Sequence, residues 1–197
     1  MTGNARACYE QKLPILESPR LRLRALLDED VPALFRIFSD PAVTRYWSSP
    51  PMRREADART LLEEIREEYQ RGELLEWGLE HRDQPGVIGT CALSALDLDN
   101  RRAEIGFALA RAAWGQGLMG EILPVLVEHA FGAMGLHRLE ADVDPRNEGS
   151  IRALQRLGFI VEGRLRERWQ VTGEVQDTLM LGLLAPEWRA RAPSDGG

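Results

Sequence analysis

The chain has 197 residues, 44% of them hydrophobic and 28% charged, and a formal net charge of −6. That length and balance describe one soluble globular domain, and the acidic charge argues against a nucleic-acid surface while suiting a cationic substrate such as an amine. Cys8, near the start, and Cys91, in an apolar stretch, make no disulfide framework, the opening residues carry no apolar signal core, and no segment is apolar for long enough to span a membrane, so a cytoplasmic protein is expected.

In chain order, residues 1–18 read as an N-terminal tail. Leu21 and Leu23 then alternate with Arg20, Arg22 and Arg24, the pattern of a half-buried strand. Asp28 or Asp30 can cap a helix with Pro32 in its first turn and Leu34, Ile37 and Phe38 on its apolar face. Asp40-Pro41 stops it. A loop over 43–52 carries Tyr46 and Trp47, aromatics that either line a substrate pocket or cover the core. Residues 54–70 form a charged helix with a stripe of Ala58, Leu61, Leu62, Ile65 and Tyr69. Leu75, Trp77 and Leu79 alternate with Glu76, Gly78 and Glu80 in a second strand. The turn 83–86 leads into a third strand over 87–93, which makes a hairpin. A fourth strand, 103–109, a glycine-rich loop, a helix and a fifth strand, 139–143, make a parallel pair with a right-handed crossover. Asn147 opens a short helix that Gly158 ends. Two further strands around a turn at 172–174 close the domain, 19–188, and 189–197 read as a C-terminal tail. Exposed edge strands and the C-terminal hairpin leave room for a homodimer. His81, His129 and His137 lack metal-ligand spacing, and no metal is expected.

The loop Trp114-Gly115-Gln116-Gly117-Leu118-Met119-Gly120 leads into a helix whose apolar face is Ile122, Leu126 and Ala130, with Leu123, Val127 and Phe131 on the adjoining line. A glycine-rich helix start points free N–H groups and positive potential at one spot, which suits a phosphate. The same letters match the dinucleotide fingerprint, with Glu140 about 20 residues on. A fingerprint would follow its strand at once, however, and residues 110–114 intervene here. A helix start with tight turns and no ligand is the plain alternative.

The element order, together with Leu21-Arg22-Leu23-Arg24, Glu104-Ile105-Gly106-Phe107, Trp114-Gly115-Gln116-Gly117, Asn147 with Ser150, Leu157-Gly158-Phe159 and Glu162-Gly163, resembles the GNAT acetyltransferases. The branch it is most similar to is the ribosomal-protein N-terminal acetyltransferase type. The resemblance covers about Ser18 to Trp188. It implies an α/β fold: a central mixed, mostly antiparallel sheet of about seven strands, splayed between the fourth and fifth and flanked by about four helices. It also implies acetyl-CoA in the split as co-substrate. Pantetheine would pair with Phe107, Ala108 and Leu109, and pyrophosphate would rest on the N–H groups of Gln116, Gly117, Leu118, Met119, Gly120 and Glu121. Asn147 would orient backbone or pantetheine groups, or serve only as a turn residue. Met119 departs from the usual loop, but a backbone N–H does not depend on its side chain. Pro124 is expected early in the helix, where a missing donor costs least.

Acetyl transfer to an amine needs a base for the ammonium, donors for an oxyanion and a proton for the leaving thiolate. Many relatives supply that proton from a tyrosine where this chain has Leu154. The favoured branch uses a serine, which Ser150 matches, and Ser150 also borders the expected cofactor site. Its hydroxyl would orient groups or relay a proton rather than act as a strong acid. Two glutamates are candidate bases: Glu104 beside the expected thioester, and Glu167, which strand alternation turns inward with Leu165 and Trp169. Some relatives carry a catalytic glutamate at the place of Trp169, which is a candidate substrate contact with Tyr46 and Trp47. The expected acceptor is the N-terminal amine of a protein, of the alanine or serine type. Small-molecule amines and antibiotics, and a non-catalytic acyl-CoA-binding module, remain as alternatives.

Overall fold

A computed structural model of the chain describes residues 13–191. Cys8, most of the expected N-terminal tail and the last residues of the expected C-terminal tail lie outside the described residues. The strands are β1 (Leu16–Glu17), β2 (Leu21–Ala25), β3 (Leu75–His81), β4 (Gln84–Asp97), β5 (Arg102–Leu109), β6 (Arg138–Val143), β7 (Ile160–Val171) and β8 (Glu174–Leu184). They form one sheet in the order β1-β2-β3-β4-β5-β6-β8-β7. The helices are α1 (Val31–Phe38), α2 (Pro41–Thr44), α3 (Glu55–Arg71), α4 (Leu118–Glu128), α5 (Glu148–Leu157) and α6 (Ala185–Arg191). The architecture is the expected one, with more short elements. Residues 13–18 are tied down rather than loose: Leu16 pairs with Leu23, and Pro14 O accepts the Trp77 indole N–H at 2.8 Å. Asp40 does not simply stop a helix, since its carboxylate accepts the Ala42 N–H and starts α2. Beyond residue 188 the chain stays helical to Arg191, where the guanidinium donates to Arg156 O at 3.0 Å.

Period-two alternation divides the sheet into two unlike faces. Leu75, Trp77, Cys91, Leu93, Ile105, Leu139 and Ala141 turn to one side and pack on α4 and α5. Leu74, Val87 and Ala108 turn to the other, under α1 and α3, with Leu34, Ile37, Phe38, Leu62 and Ile65. These two helices leave part of that second face uncovered. The residues left open there are small or polar, and they form the site described below.

All neighbouring strands are antiparallel except β5 and β6. Their parallel pairing covers Arg102 opposite Arg138, Ala103 opposite Leu139 and Glu104 opposite Glu140, and then ends. β6 meanwhile stays paired with β8 as far as Val143 opposite Leu179. From Ile105 onward, β5 therefore has a bare edge facing the gap.

Arg24 ties the N-terminal half together. Its guanidinium holds Asp30 through both nitrogens, at 2.6 and 2.9 Å, and Glu80 through Nε at 2.9 Å. The Asp30 carboxylate also accepts the Leu27 N–H at 2.8 Å, which fixes the turn into α1. Asp30 and Glu80 are buried, and the Asp30 hydrogen bond leads the effects that raise the Arg24 pKa above its ordinary value. Removing one member of a buried ion cluster strands the others. Arg24→Ala is expected to lower the unfolding free energy by about 3 kcal/mol in a urea titration. A loss below about 0.5 kcal/mol would mean the cluster is effectively solvated.

Candidate active site

The turn after β5 begins at Arg111–Ala113 and reaches α4 through Gly115 and Gly117, both at φ +74°. Gly117 is the N-cap of α4, and no side chain caps the first N–H groups there. A Cβ built on Gly115, Gly117 or Gly120 would meet nothing within 4 Å, so the space beside this backbone is open. The Trp114 indole N–H donates to Leu109 O at 2.7 Å and joins the loop to the end of β5. The Gln116 amide donates to Ala112 O at 3.0 Å. Leu118 and Met119 send their side chains into or against the core, which leaves their backbone on the outside. The Glu121 carboxylate accepts from Ser18 Oγ, Arg20 N and Arg20 Nε at 2.7, 2.8 and 2.6 Å, clamping the helix start to β2. Pro124, expected early in the helix, lies in the second turn of α4. Its missing N–H would have reached Gly120 O, so it removes a real helical hydrogen bond. An uncapped helix start beside a bare strand edge fits a pyrophosphate and a pantetheine arm respectively.

A cavity of about 330 Å³ lies on the second face at the gap. It brings together Tyr46, Trp47, Glu104, Asn147, Ser150 and Trp169 from the expected set, and Phe107 reaches it from β5. Trp47 stands edge-on to Phe38 at 4.9 Å, and the guanidinium groups of Arg45 and Arg146 lie 5.2 and 5.7 Å from the centre of the Tyr46 ring. The Trp169 indole N–H donates to Asp142. Asn147 Oδ1 accepts the Ser150 N–H at 3.2 Å and caps α5, so the Asn147 side chain sets the helix turn that presents Ser150. Leu154, at the tyrosine position of other relatives, is buried and lines the same cavity.

Glu167 is not brought to the site. It is exposed, at φ +55°, and its N–H donates to Asp177 at 2.9 Å. The expected inward alternation breaks because Leu165 pairs with Thr178 and Trp169 with Gln176, so the β7 stretch between them outruns its partner and bulges.

Five carboxylates border the cavity: Glu76, Glu104, Asp142, Asp144 and Asp177. Arg146 grips Asp144 at 2.7 Å, and Arg164 holds Asp177 at 2.5 Å. Asp142 accepts from Thr178 Oγ as well as from Trp169, with Arg168 at 3.8 Å. Among the described residues, Glu76 and Glu104 make no ion pair. Burial raises the Glu104 pKa first, the charges of Asp142 and Glu140 raise it further, and Arg168 opposes them. Glu76 keeps a window on the cavity but is otherwise enclosed. Burial pushes its carboxyl up to about 7 against a hydrogen bond with Thr90, and Glu68 adds to the rise. Sequence reasoning passed over Glu76 because alternation against Leu75 and Trp77 only says that it leaves the core. No signal in the sequence marked it, since the burial of the strand's other outward positions, Gly78 and Glu80, comes from tertiary packing.

Comparison with known proteins fits this geometry. Residues 20–160 match the family model described as "Acetyltransferase (GNAT) domain". The chain belongs to the GNAT acetyltransferase family, and it is an acetyl-CoA-dependent acetyltransferase. Among its relatives, the uncharacterized N-acetyltransferase YoaA of Bacillus subtilis is 37% identical over 88% of this chain and 98% of that one. The ribosomal protein uS5-alanine N-acetyltransferase of Escherichia coli is 27% identical over 88% and 92%. The structure of Mycobacterium smegmatis RimJ in complex with CoA-disulfide superposes with a TM-score of 0.78 at 26% identity, covering 88% of this chain and 87% of that one. Among the described residues no helix is long and apolar enough to cross a membrane, and no group of three or more His, Cys, Asp or Glu could hold a metal ion. His129 is half-buried, edge-on to Trp77 with its Nε2 enclosed, and desolvation lowers its pKa.

Two measurements follow from this geometry. Gly117→Val puts a β-branched residue at positive φ beside the open helix start. Acetyl-CoA affinity is expected to fall at least about ten-fold by calorimetry, and unchanged affinity would place the phosphates elsewhere. Glu76 supplies a pH test. Its folded pKa, about 7, exceeds the ordinary carboxyl value of 4.5. The folded state therefore binds the extra proton, and stability is lost as pH rises from about 4.5 through 7. Glu76→Gln abolishes that loss. The melting-temperature difference, variant minus wild type, is expected to be more positive at pH 8 than at pH 5, by the equivalent of about 2 kcal/mol. A difference independent of pH would show that the carboxyl titrates normally.

Proposed function

We propose that this enzyme acetylates the N-terminal amine of a protein that begins with alanine or serine. The observation that carries the reading is Glu104, an unpaired and half-buried carboxylate where β5 leaves β6, in the cavity that also holds Ser150. Acetyl-CoA supplies the acetyl group as a thioester. Glu104 takes the proton from the incoming ammonium and so frees the lone pair that attacks. An α-amino group has a pKa near ~8 and a lysine amine near ~10, so the former asks less of a carboxylate. Burial and two neighbouring acids make Glu104 a stronger base than an ordinary glutamate. Ser150 Oγ, presented by the first turn of α5, relays to the departing sulfur the proton that the attacking nitrogen sheds as the amide forms. Phe107, Ala108 and Leu109 offer the bare β5 edge, and the residues from Gln116 to Glu121 offer the phosphate site. Tyr46, Trp47 and Trp169 contact the acceptor. The relative that acts on ribosomal protein uS5 supports this acceptor class, and such an acceptor is met in the cytoplasm.

The test is CoA release from acetyl-CoA with peptides beginning in Ala or Ser, with lysine-only peptides and with small amines, read by a thiol reagent and by peptide mass. Turnover of the first group is expected. Glu104→Gln should lower kcat about 100-fold and Ser150→Ala about 10-fold, while acetyl-CoA affinity holds. Tight acetyl-CoA binding with no turnover of any amine would leave a non-catalytic acyl-CoA-binding module. Turnover of small amines alone would move the acceptor to that class.

A further inference from the structure

The cavity holds a second carboxylate that the transfer itself does not use. Glu76 of β3 lies opposite Ala92 of β4, and Ala92 lies opposite Gly106 of β5. The three form one row across the sheet, ending at the strand edge that borders the gap. Its inner positions carry only a methyl group and a hydrogen, and a Cβ added at Gly106 would meet nothing within 4 Å. The row is thus a trough that runs from the reaction centre to the Glu76 carboxylate. Phe38, Leu61 and Leu74 line it with apolar surface.

The charges in the cavity are unevenly matched. Asp144 and Asp177 have their own arginines, and Asp142 has a hydroxyl, an indole N–H and Arg168. Glu76 and Glu104 make no ion pair among the described residues, Arg168 acting on Glu104 through its charge alone, and the hydrogen bond at Glu76 is to Thr90. An enclosed carboxylate without a counter-charge is costly to keep ionised. One of the two faces the incoming amine. The other needs a different positive group, and the trough leads to it. On strand geometry the α carbons of Glu76 and Glu104 are two strands and two residues apart, about 12 Å. Both side chains rise on the same face into one cavity, and a span of that order suits an aliphatic linker with a charged nitrogen at each end.

We infer that Glu76 is a cation subsite of the acceptor pocket, holding a second positively charged nitrogen of the acceptor a short aliphatic spacer away from the amine acetylated at Glu104. The inference rests on the acceptor reading above and narrows it. The apolar wall receives the spacer, and the carboxylate receives the charge. Two sources share this chemistry: a lysine side chain close to the peptide N-terminus, and the far end of a diamine.

The experiment compares isosteric pairs. Rates of CoA release are measured for Ala-Lys-initiated against Ala-norleucine-initiated peptides, and for 1,4-diaminobutane against butylamine. In wild type the dication of at least one pair is expected to have a kcat/KM about ten-fold above its partner, chiefly through KM. In Glu76→Gln that ratio should fall towards one, with acetyl-CoA affinity and melting temperature reporting that the variant is folded. The pair that shows the effect identifies the source. Equal rates within both wild-type pairs overturn the subsite without any variant, and so does a preference that survives Glu76→Gln. Calorimetry of 1,4-diaminobutane and of the Ala-Lys peptide on the CoA-bound protein separates this inference from the reaction. Glu76-dependent binding without turnover would remove the acetyl-transfer reading and keep the subsite. Turnover without Glu76-dependent preference would do the reverse. Neither binding nor turnover would remove both.

Discussion

The short parallel ladder between β5 and β6 is the constraint on which the site depends. Its pairing ends at Glu104 and Glu140, although both strands continue. β6 cannot swing back to extend it, because its other edge is held by β8 along its whole length. Nor can β5, which is paired with β4 from Asp97 to Gly89. The bare N–H and C=O groups of β5 beyond Glu104 must find partners elsewhere. The fold tolerates the gap because its apolar side is sealed by α4 and α5, with Leu118, Ile122, Leu126, Leu154 and Leu157 buried there. The gap therefore opens to one face only. That asymmetry sets where a long, thin ligand can lie and from which side an acceptor must come.

The acceptor's side is acidic by design of the pleat. On that face β3 carries Glu76, Gly78 and Glu80, β5 carries Glu104, Gly106 and Ala108, and β6 carries Glu140 and Asp142, with the paired Arg102 and Arg138 at the far end. Arginines from neighbouring elements neutralise part of this charge. Arg146 reaches across to Asp144, Glu174 and the Tyr46 ring, and so joins the β6–α5 turn, β8 and the loop before α3 at the cavity rim. The charge left over sits at the two ends of the trough, where a cation from solution can compete for it.

Much of this was legible in the sequence, and the parts that were not share a physical reason. The glycine loop was readable because positive φ and open space are demands on single residues, and Gly115 and Gly117 meet them where expected. Asn147 and Ser150 were readable because a helix cap is local. Glu104 was readable through its neighbours Ile105, Gly106 and Phe107. Glu76 was not, because alternation separates core from non-core but cannot tell solvent from pocket. That distinction depends on how α1 and α3 lie over the sheet, which is set by tertiary packing. Glu167 was misplaced because alternation assumes a regular ladder, and nothing in Arg166-Glu167-Arg168 announces that β7 bulges against β8. Pro124 lies deeper than its sequence context suggests because the helix already starts at Leu118, before the last glycine of the loop, which puts six helical residues ahead of the proline.

The clamp on Glu121 carries a consequence for how the protein can be handled. Ser18 and Arg20 hold the start of α4 from about a hundred residues away, and Pro14 closes over Trp77 just before them. The start of α4 is thus mechanically continuous with the first described stretch of the chain. Trimming the protein to begin at the first long strand, a natural choice for crystallisation, would cut that brace. Such a shortened protein would lose β1 and keep the rest of its sheet and most of its core, yet the start of α4 would be loosened. A fusion tag joined close to Leu13 would pull on the same lever.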